Sequence, residues 1–210
     1  MKTLEKEHYA LMVLFILHGV GVYGLNSAYA EWFKMLTPLN LLISTGLVVA
    51  FHKEKTTAFW LVVAGIYLTG FLVEWAGVAT GILFGEYAYG ATLGFKLFDI
   101  PLMIGVNWLM LVLATSSAVN RVPLPWFVKG PLAAVLMVFL DFLIEPVAMK
   151  YDMWMWQDGV IPTQNYVMWL VVSLVMCSVY FYVKFNKVNK VGAGLYLLLF
   201  GFFTLLNFTL

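Results

Sequence analysis

The stretch "VFLDFLIEPVAMKYDMWMW" (138–156) decides how the rest of the chain is read. It is oily enough to lie in a bilayer, yet it carries Asp141 and Glu145 and then alternates Met with Trp. A carboxylate at the centre of a membrane helix costs roughly 2.5–3.5 kcal/mol on insertion scales. Two on one helix need a reason. Spaced four apart, they share a helix face, about one turn from each other. Like charges that close in a dry setting cannot both ionise cheaply, so at least one is expected to keep its proton. A carboxylic acid held protonated near neutral pH can serve as a general acid. Pro146 follows at once, loosening the helix and freeing a carbonyl beside the pair.

The surrounding chain confirms that the solvent is lipid. Of 210 residues, 63% are apolar and only 11% charged, whereas soluble domains are about 25% charged. No soluble core of this length hides that much apolar surface. The expected fold is a single-domain, all-α polytopic membrane bundle over residues 1–210. At about 20 apolar residues per crossing, the candidate spans are 9–28, 37–52, 57–79, 100–119, 128–147, 164–184 and 191–209, the second being short. The start "MKTLEKEHYALMVLFILHGV" reads as the first membrane helix rather than a removed leader, because its apolar run continues through Gly24. Residues 81–99, rich in glycine and aromatics, read as a folded or re-entrant loop. The lone Cys177 rules out an intrachain disulfide and reads as a small buried hydrophobe.

Lysine and arginine fall unevenly between the two sides. The N-terminus and even-numbered loops hold Lys2, Lys6, Lys53, Lys55, Arg121, Lys129, Lys184, Lys187 and Lys190; the odd-numbered loops hold only Lys34, Lys96 and Lys150. The positive-inside rule then predicts a cytoplasmic N-terminus, in what reads as a prokaryotic cytoplasmic membrane. In that frame Glu74, Asp141, Glu145, Asn107, Trp108, Asn165 and Trp169 fall in the outer parts of their helices. Glu86, Tyr87, Tyr89, Asp99, Trp154 and Trp156 fall in loops on the same side. His18, mid-span in the first helix, stands apart. Ionisable groups inside a membrane default to a functional reading, facing a cavity or one another.

Plainer readings exist for the same residues. The carboxylates suit headgroup-level positions or pairing with Lys96 or Lys150, the aromatics an interfacial belt, and the asparagines hydrogen bonds between helices. Three scattered histidines and one cysteine do not assemble a transition-metal site at familiar spacing. "FGEYAYGATLG" (84–94) lacks the Lys-Ser/Thr that a phosphate loop needs. No nucleic-acid partner is indicated.

The segments "FGEYAYGATLGFKLFDIPLMIGVNW" (84–108), "LDFLIEPVAMKYDMWMW" (140–156) and "IPTQNYVMW" (161–169), with Glu74 ahead of "GVATG" (77–81), carry a family resemblance. Over roughly residues 70–170 the chain resembles the integral-membrane carotenoid hydratases, both the CruF-type γ-carotene 1′,2′-hydratases and the bisanhydrobacterioruberin hydratases. The resemblance implies hydration of a terminal double bond on an acyclic carotenoid end (lycopene, γ-carotene or a relative), beside other carotenoid biosynthesis enzymes. Protonating the alkene at its less substituted carbon leaves a tertiary cation, which water captures. No redox cofactor is expected, since hydration changes no net oxidation state.

On this reading Asp141 is the proton donor, and Glu145 or Glu74 is its partner or the water's base. Tyr87, Tyr89, Trp108, Trp154 and Trp156 offer ring faces to the cation, worth roughly 2 kcal/mol each when desolvated. Asn165 or Asn107 holds the water; Glu86, Asp99 and Trp169 complete the candidate substrate lining. The rivals are a carotene or lycopene cyclase, which begins with the same protonation, a proton-coupled transporter, and a carotenoid-binding protein without catalysis.

Overall fold

The computed structural model describes residues 5–209. Helices account for most of the chain, as a bilayer demands of a backbone that must satisfy its own hydrogen bonds. They are α1 (Lys6–Leu25), α2 (Ala30–Met35), α3 (Thr37–Ala50), α4 (Thr57–Thr80), α5 (Leu102–Val119), α6 (Trp126–Lys150), α7 (Thr163–Tyr182) and α8 (Lys190–Asn207). Six of them are long and apolar enough to cross a membrane. The expected seventh, α3, has 14 residues; at 1.5 Å per residue it spans about 21 Å against a hydrocarbon core of about 30 Å.

The bundle has two distinct ends, and α3 reaches the first of them at Val48. At one end Asn189 Nδ2 donates to the Val48 carbonyl (2.8 Å), and His52 Nε2 meets the Tyr180 hydroxyl (3.2 Å). At the opposite end the Tyr151 hydroxyl donates to the Leu25 carbonyl (3.0 Å), and Lys150 Nζ to the Thr209 carbonyl (2.9 Å). The loops that carry most of the lysines therefore share an end, as the charge count requires.

Helix α5 is the axis of the bundle, with 15 of its 18 residues buried. It packs against α3, α4, α6, α7 and α8, while α6 and α7 form the most extensive helix pair. Small residues permit close approach where lipid gives no hydrophobic drive. At Gly70 of α4, an added Cβ would stand 2.6 Å from Trp108 Cβ of α5. That contact sets Trp108 against α4, which matters for the site below.

The 81–99 region is a folded cap that joins the 151–162 loop across the bundle end. Helix α4 stops at Gly81, whose φ of 66° closes the last turn as glycine does best. Strand β1 (Tyr87–Tyr89) then pairs antiparallel with β4 (Trp154–Trp156), in the register Tyr87↔Trp156, Ala88↔Met155, Tyr89↔Trp154. A tight hairpin, β2 (Lys96–Leu97) with β3 (Ile100–Pro101), leads into α5. Side chains alternate across a strand, so Tyr-x-Tyr and Trp-x-Trp turn four rings inward and leave Ala88 and Met155 exposed. This is the capped end of the molecule.

Candidate active site

The ribbon's inward face supplies donors to two buried carboxylates on separate helices. Glu74 of α4 accepts at Oε2 from the Tyr87 hydroxyl (2.5 Å) and the Tyr89 hydroxyl (2.7 Å), and at Oε1 from Trp108 Nε1 (2.9 Å). Glu145 of α6 accepts at Oε2 from Trp154 Nε1 (2.9 Å) and Trp156 Nε1 (2.7 Å), and at Oε1 from Asn165 Nδ2 (2.8 Å). At 1.5 Å per residue, Glu74 and Glu145 lie about 9 and about 8 Å in from the capped ends of their helices. Neither is paired with a lysine: Lys96 Nζ donates to the Tyr89 carbonyl and Lys150 to that of Thr209. The ion pairs among the described residues join Lys34 to Glu31 and Lys190 to Glu5 and Glu7.

The donors differ in kind. An indole N–H only donates, whereas a phenol hydroxyl donates or accepts. Glu145 Oε2 therefore has to remain a bare acceptor, while Glu74 Oε2 can lose or gain a proton by turning a tyrosine hydroxyl. Burial, and after it the charge of Glu74, pushes the Tyr87 and Tyr89 hydroxyls well above their ordinary range, so both keep their protons.

Between the two glutamates lies a cavity of about 10 Å³, room for about one water. Its lining includes Tyr87, Tyr89, Trp154, Trp156, Asn165 and Trp169. Trp108 stands behind, stacked on Trp169 with centroids 4.0 Å apart. Across the ribbon, Tyr87 and Trp156 lie 4.8 Å apart. Among the described residues, no group of three or more His, Cys, Asp or Glu side chains is arranged to hold a metal ion.

Asp141, the expected donor, sits one turn further in on α6 and is fully buried. Asn165 Nδ2 reaches its Oδ2 at 3.3 Å, and Oδ1 has no partner among the described residues. It lines neither this cavity nor the larger one described next. Glu86 and Asp99 lie apart from the cluster, exposed on the cap. Asn107 is also apart: it faces a second cavity of about 180 Å³, enclosed by α1, α2, α3, α5, α6 and α8. Trp154 is the wall the two cavities share.

A family model for carotenoid biosynthesis proteins matches residues 34–210. The chain belongs to the carotenoid biosynthesis protein family. The bisanhydrobacterioruberin hydratase of Haloarcula japonica is 28% identical to it over 130 residues, covering 56% of this chain and 42% of that relative. The chain thus matches under half of the relative's length. No solved structure matches it.

In this carotenoid biosynthesis protein, Phe84 and Ile104 of the small cavity escaped the reading of the sequence, as did the larger cavity apart from Asn107 and Trp154. Period-two spacing in Tyr-x-Tyr and Trp-x-Trp was the available signal for the ribbon. The larger cavity is built from ordinary Leu, Phe and Val on six helices, which no local pattern marks.

Proposed function

We propose that the protein is a cofactor-independent carotenoid hydratase that adds water across a terminal (1,2) double bond of an acyclic end to form a tertiary alcohol. One observation carries the reading: a space for a single water between two carboxylates on different helices, walled by aromatic rings. Such a site suits an alkene proton acceptor, a cationic intermediate and one captured water.

The hydrogen-bond pattern suggests the division of labour. Glu74 enters the cycle protonated and gives its proton to the less substituted alkene carbon. The tertiary cation forms between the Glu74 and Glu145 carboxylates and against the rings, where charge and cation–π attraction lower its energy. The enclosed water attacks the cation and returns a proton to Glu74. The net change is alkene plus water to alcohol, with the protein restored. Glu145 Oε2, held by two indole N–H groups that cannot accept, stays a bare acceptor throughout. Asp141, with one long hydrogen bond, suits a protonated neighbour that positions Asn165 and Glu145. The larger cavity opens beside α1 and α3 and gives a lipid-dissolved chain a route to Trp154. In the orientation the lysines favour, the capped end faces away from the cytoplasm.

Co-expression with an acyclic-carotene pathway in a bacterial host tests this directly by pigment mass spectrometry. A product heavier by one water is expected. An isomer of unchanged mass would point to cyclisation, and unaltered pigment to binding or transport.

A further inference from the structure

The small cavity has room for about one water, and among the described residues no carboxylate lines the larger one. Neither space can do the chemistry alone. An isoprenoid end, with its branching methyls, is several times bulkier than a water and does not fit a space of about 10 Å³. The larger cavity, of about 180 Å³, opens sideways between α1 and α3, where Val20, Leu36 and Leu39 line it and are exposed. A chain dissolved in the lipid reaches that side first. Among the described residues, Trp154 alone lines both spaces.

Trp154 is set differently from the rings around it. Trp169 stacks on Trp108 at 4.0 Å, and Trp156 lies against Tyr87 at 4.8 Å. Trp154 meets Tyr89 edge-on at 6.2 Å and has the larger cavity along one side. Its backbone is pinned in the ribbon opposite Tyr89, so a turn of the side chain moves the ring without moving the strand. What holds the ring across the opening is its indole N–H, which donates to Glu145 Oε2 at 2.9 Å. That oxygen has a second donor, Trp156 Nε1 at 2.7 Å. Losing the Trp154 bond therefore leaves the carboxylate seated and frees one acceptor position on Oε2 beside the small cavity.

We propose that Trp154 is a positioning residue that ties entry of the alkene end to orientation of the water. The inference rests on the hydratase reading and deepens it by saying how the site is regulated. The ring turns off Glu145 and the two spaces join. The lost hydrogen bond is offset by the apolar surface that the entering end buries. The enclosed water then donates to the freed position on Glu145 Oε2, which leaves its lone pairs to face the cation. No covalent bond forms or breaks in this step. Without a chain in place the wall is shut, and the carboxylates are shielded from lipid.

Binding and spectroscopy test this without turnover. Glu74→Gln protein in lipid nanodiscs is titrated with an acyclic carotene, and retained pigment is measured by absorbance. Trp154→Phe in that background keeps a ring in the wall but removes its latch, so retention should tighten about tenfold, one hydrogen bond's worth. Trp156→Phe removes a bond to the same oxygen without freeing the wall and should give no such gain. The indole N–H proton of Trp154, followed by NMR in isotope-labelled Glu74→Gln protein, should move upfield as carotene saturates the site, the mark of a lost hydrogen bond. That readout leaves the ring in place. Retention that does not tighten in Trp154→Phe overturns the proposal, as does equal tightening in Trp156→Phe or a Trp154 signal that stays put at saturation. Both expected results without hydration by the unsubstituted protein would sink the hydratase reading alone. Hydration with neither result would sink this inference alone.

Discussion

Replacing Glu74 with Gln separates the chemistry from the scaffold. The side chain accepts three hydrogen bonds, two from tyrosine hydroxyls and one from Trp108. In the amide, the oxygen takes the indole N–H at the Oε1 position and the NH₂ takes the Oε2 position. Tyr87 and Tyr89 then turn to accept instead of donate, so all three contacts survive. A neutral amide then stands in for a neutral carboxylic acid, at a stability cost of no more than about 1 kcal/mol. The substituted side chain has no acidic proton, however, so hydration should fall by about 10²–10⁴-fold, the usual worth of a positioned general acid or base. The assay is hydroxylated product per mole of folded protein, alongside thermal unfolding in detergent. Hydration within about tenfold of the parent protein would remove Glu74 from the proton cycle. Loss of the fold would refute the claim that tyrosines make this site indifferent to its proton.

The other expectations concern the scaffold around the acids. Trp156→Phe keeps a ring but removes the 2.7 Å bond to Glu145; a stability loss of about 1–3 kcal/mol is expected, and an unchanged melting temperature would show that Glu145 does not need this donor. Gly70→Val drives a side chain into Trp108 and should cost about 1–3 kcal/mol from overpacking, with hydration falling as Trp108 leaves Glu74; normal product yield would argue against that coupling. Tyr87 and Tyr89 resist ionisation in the fold because burial disfavours the phenolate. Their folded-state values lie above the unfolded value of about 10, so their contribution is whole below that pH and declines as pH rises past it. Thermal unfolding followed from neutral to alkaline pH should show that decline, and Tyr87→Phe with Tyr89→Phe should flatten it.

Much of the fold was legible because membrane helices announce themselves by length and polarity. The seven apolar runs became α1 and α3–α8 with ends shifted by a few residues, and only the shortness of α3 leaves its crossing unsupported. The convergence of Glu74, Glu145, Trp108, Asn165 and Trp169 was legible for the same reason: helix direction and position set depth. The cap was not. The 81–99 segment and the loop that carries Trp154 and Trp156 read as separate loops, since pairing Tyr87 with Trp156 takes a contact across roughly 70 positions that no local window contains. The Trp-x-Trp and Tyr-x-Tyr spacing held the clue, but interfacial aromatics produce it as well. Asp141 looked like the natural donor because sequence displays its spacing from Glu145. Sequence does not display that the ribbon turns its donors toward Glu74 and Glu145 and leaves Asp141 behind them. His18 stands apart in the sequence, which carries no sign of the hollow it faces.

The central claim is that an enclosed water, held between two carboxylates, becomes the hydroxyl of the product. Purified protein in nanodiscs, given an acyclic carotene in oxygen-18 water, tests that most directly. The account predicts a tertiary alcohol carrying the heavy oxygen, formed without added cofactor and absent with Glu74→Gln. A ring-closed isomer free of label, or an alcohol whose oxygen does not come from the water, would contradict it.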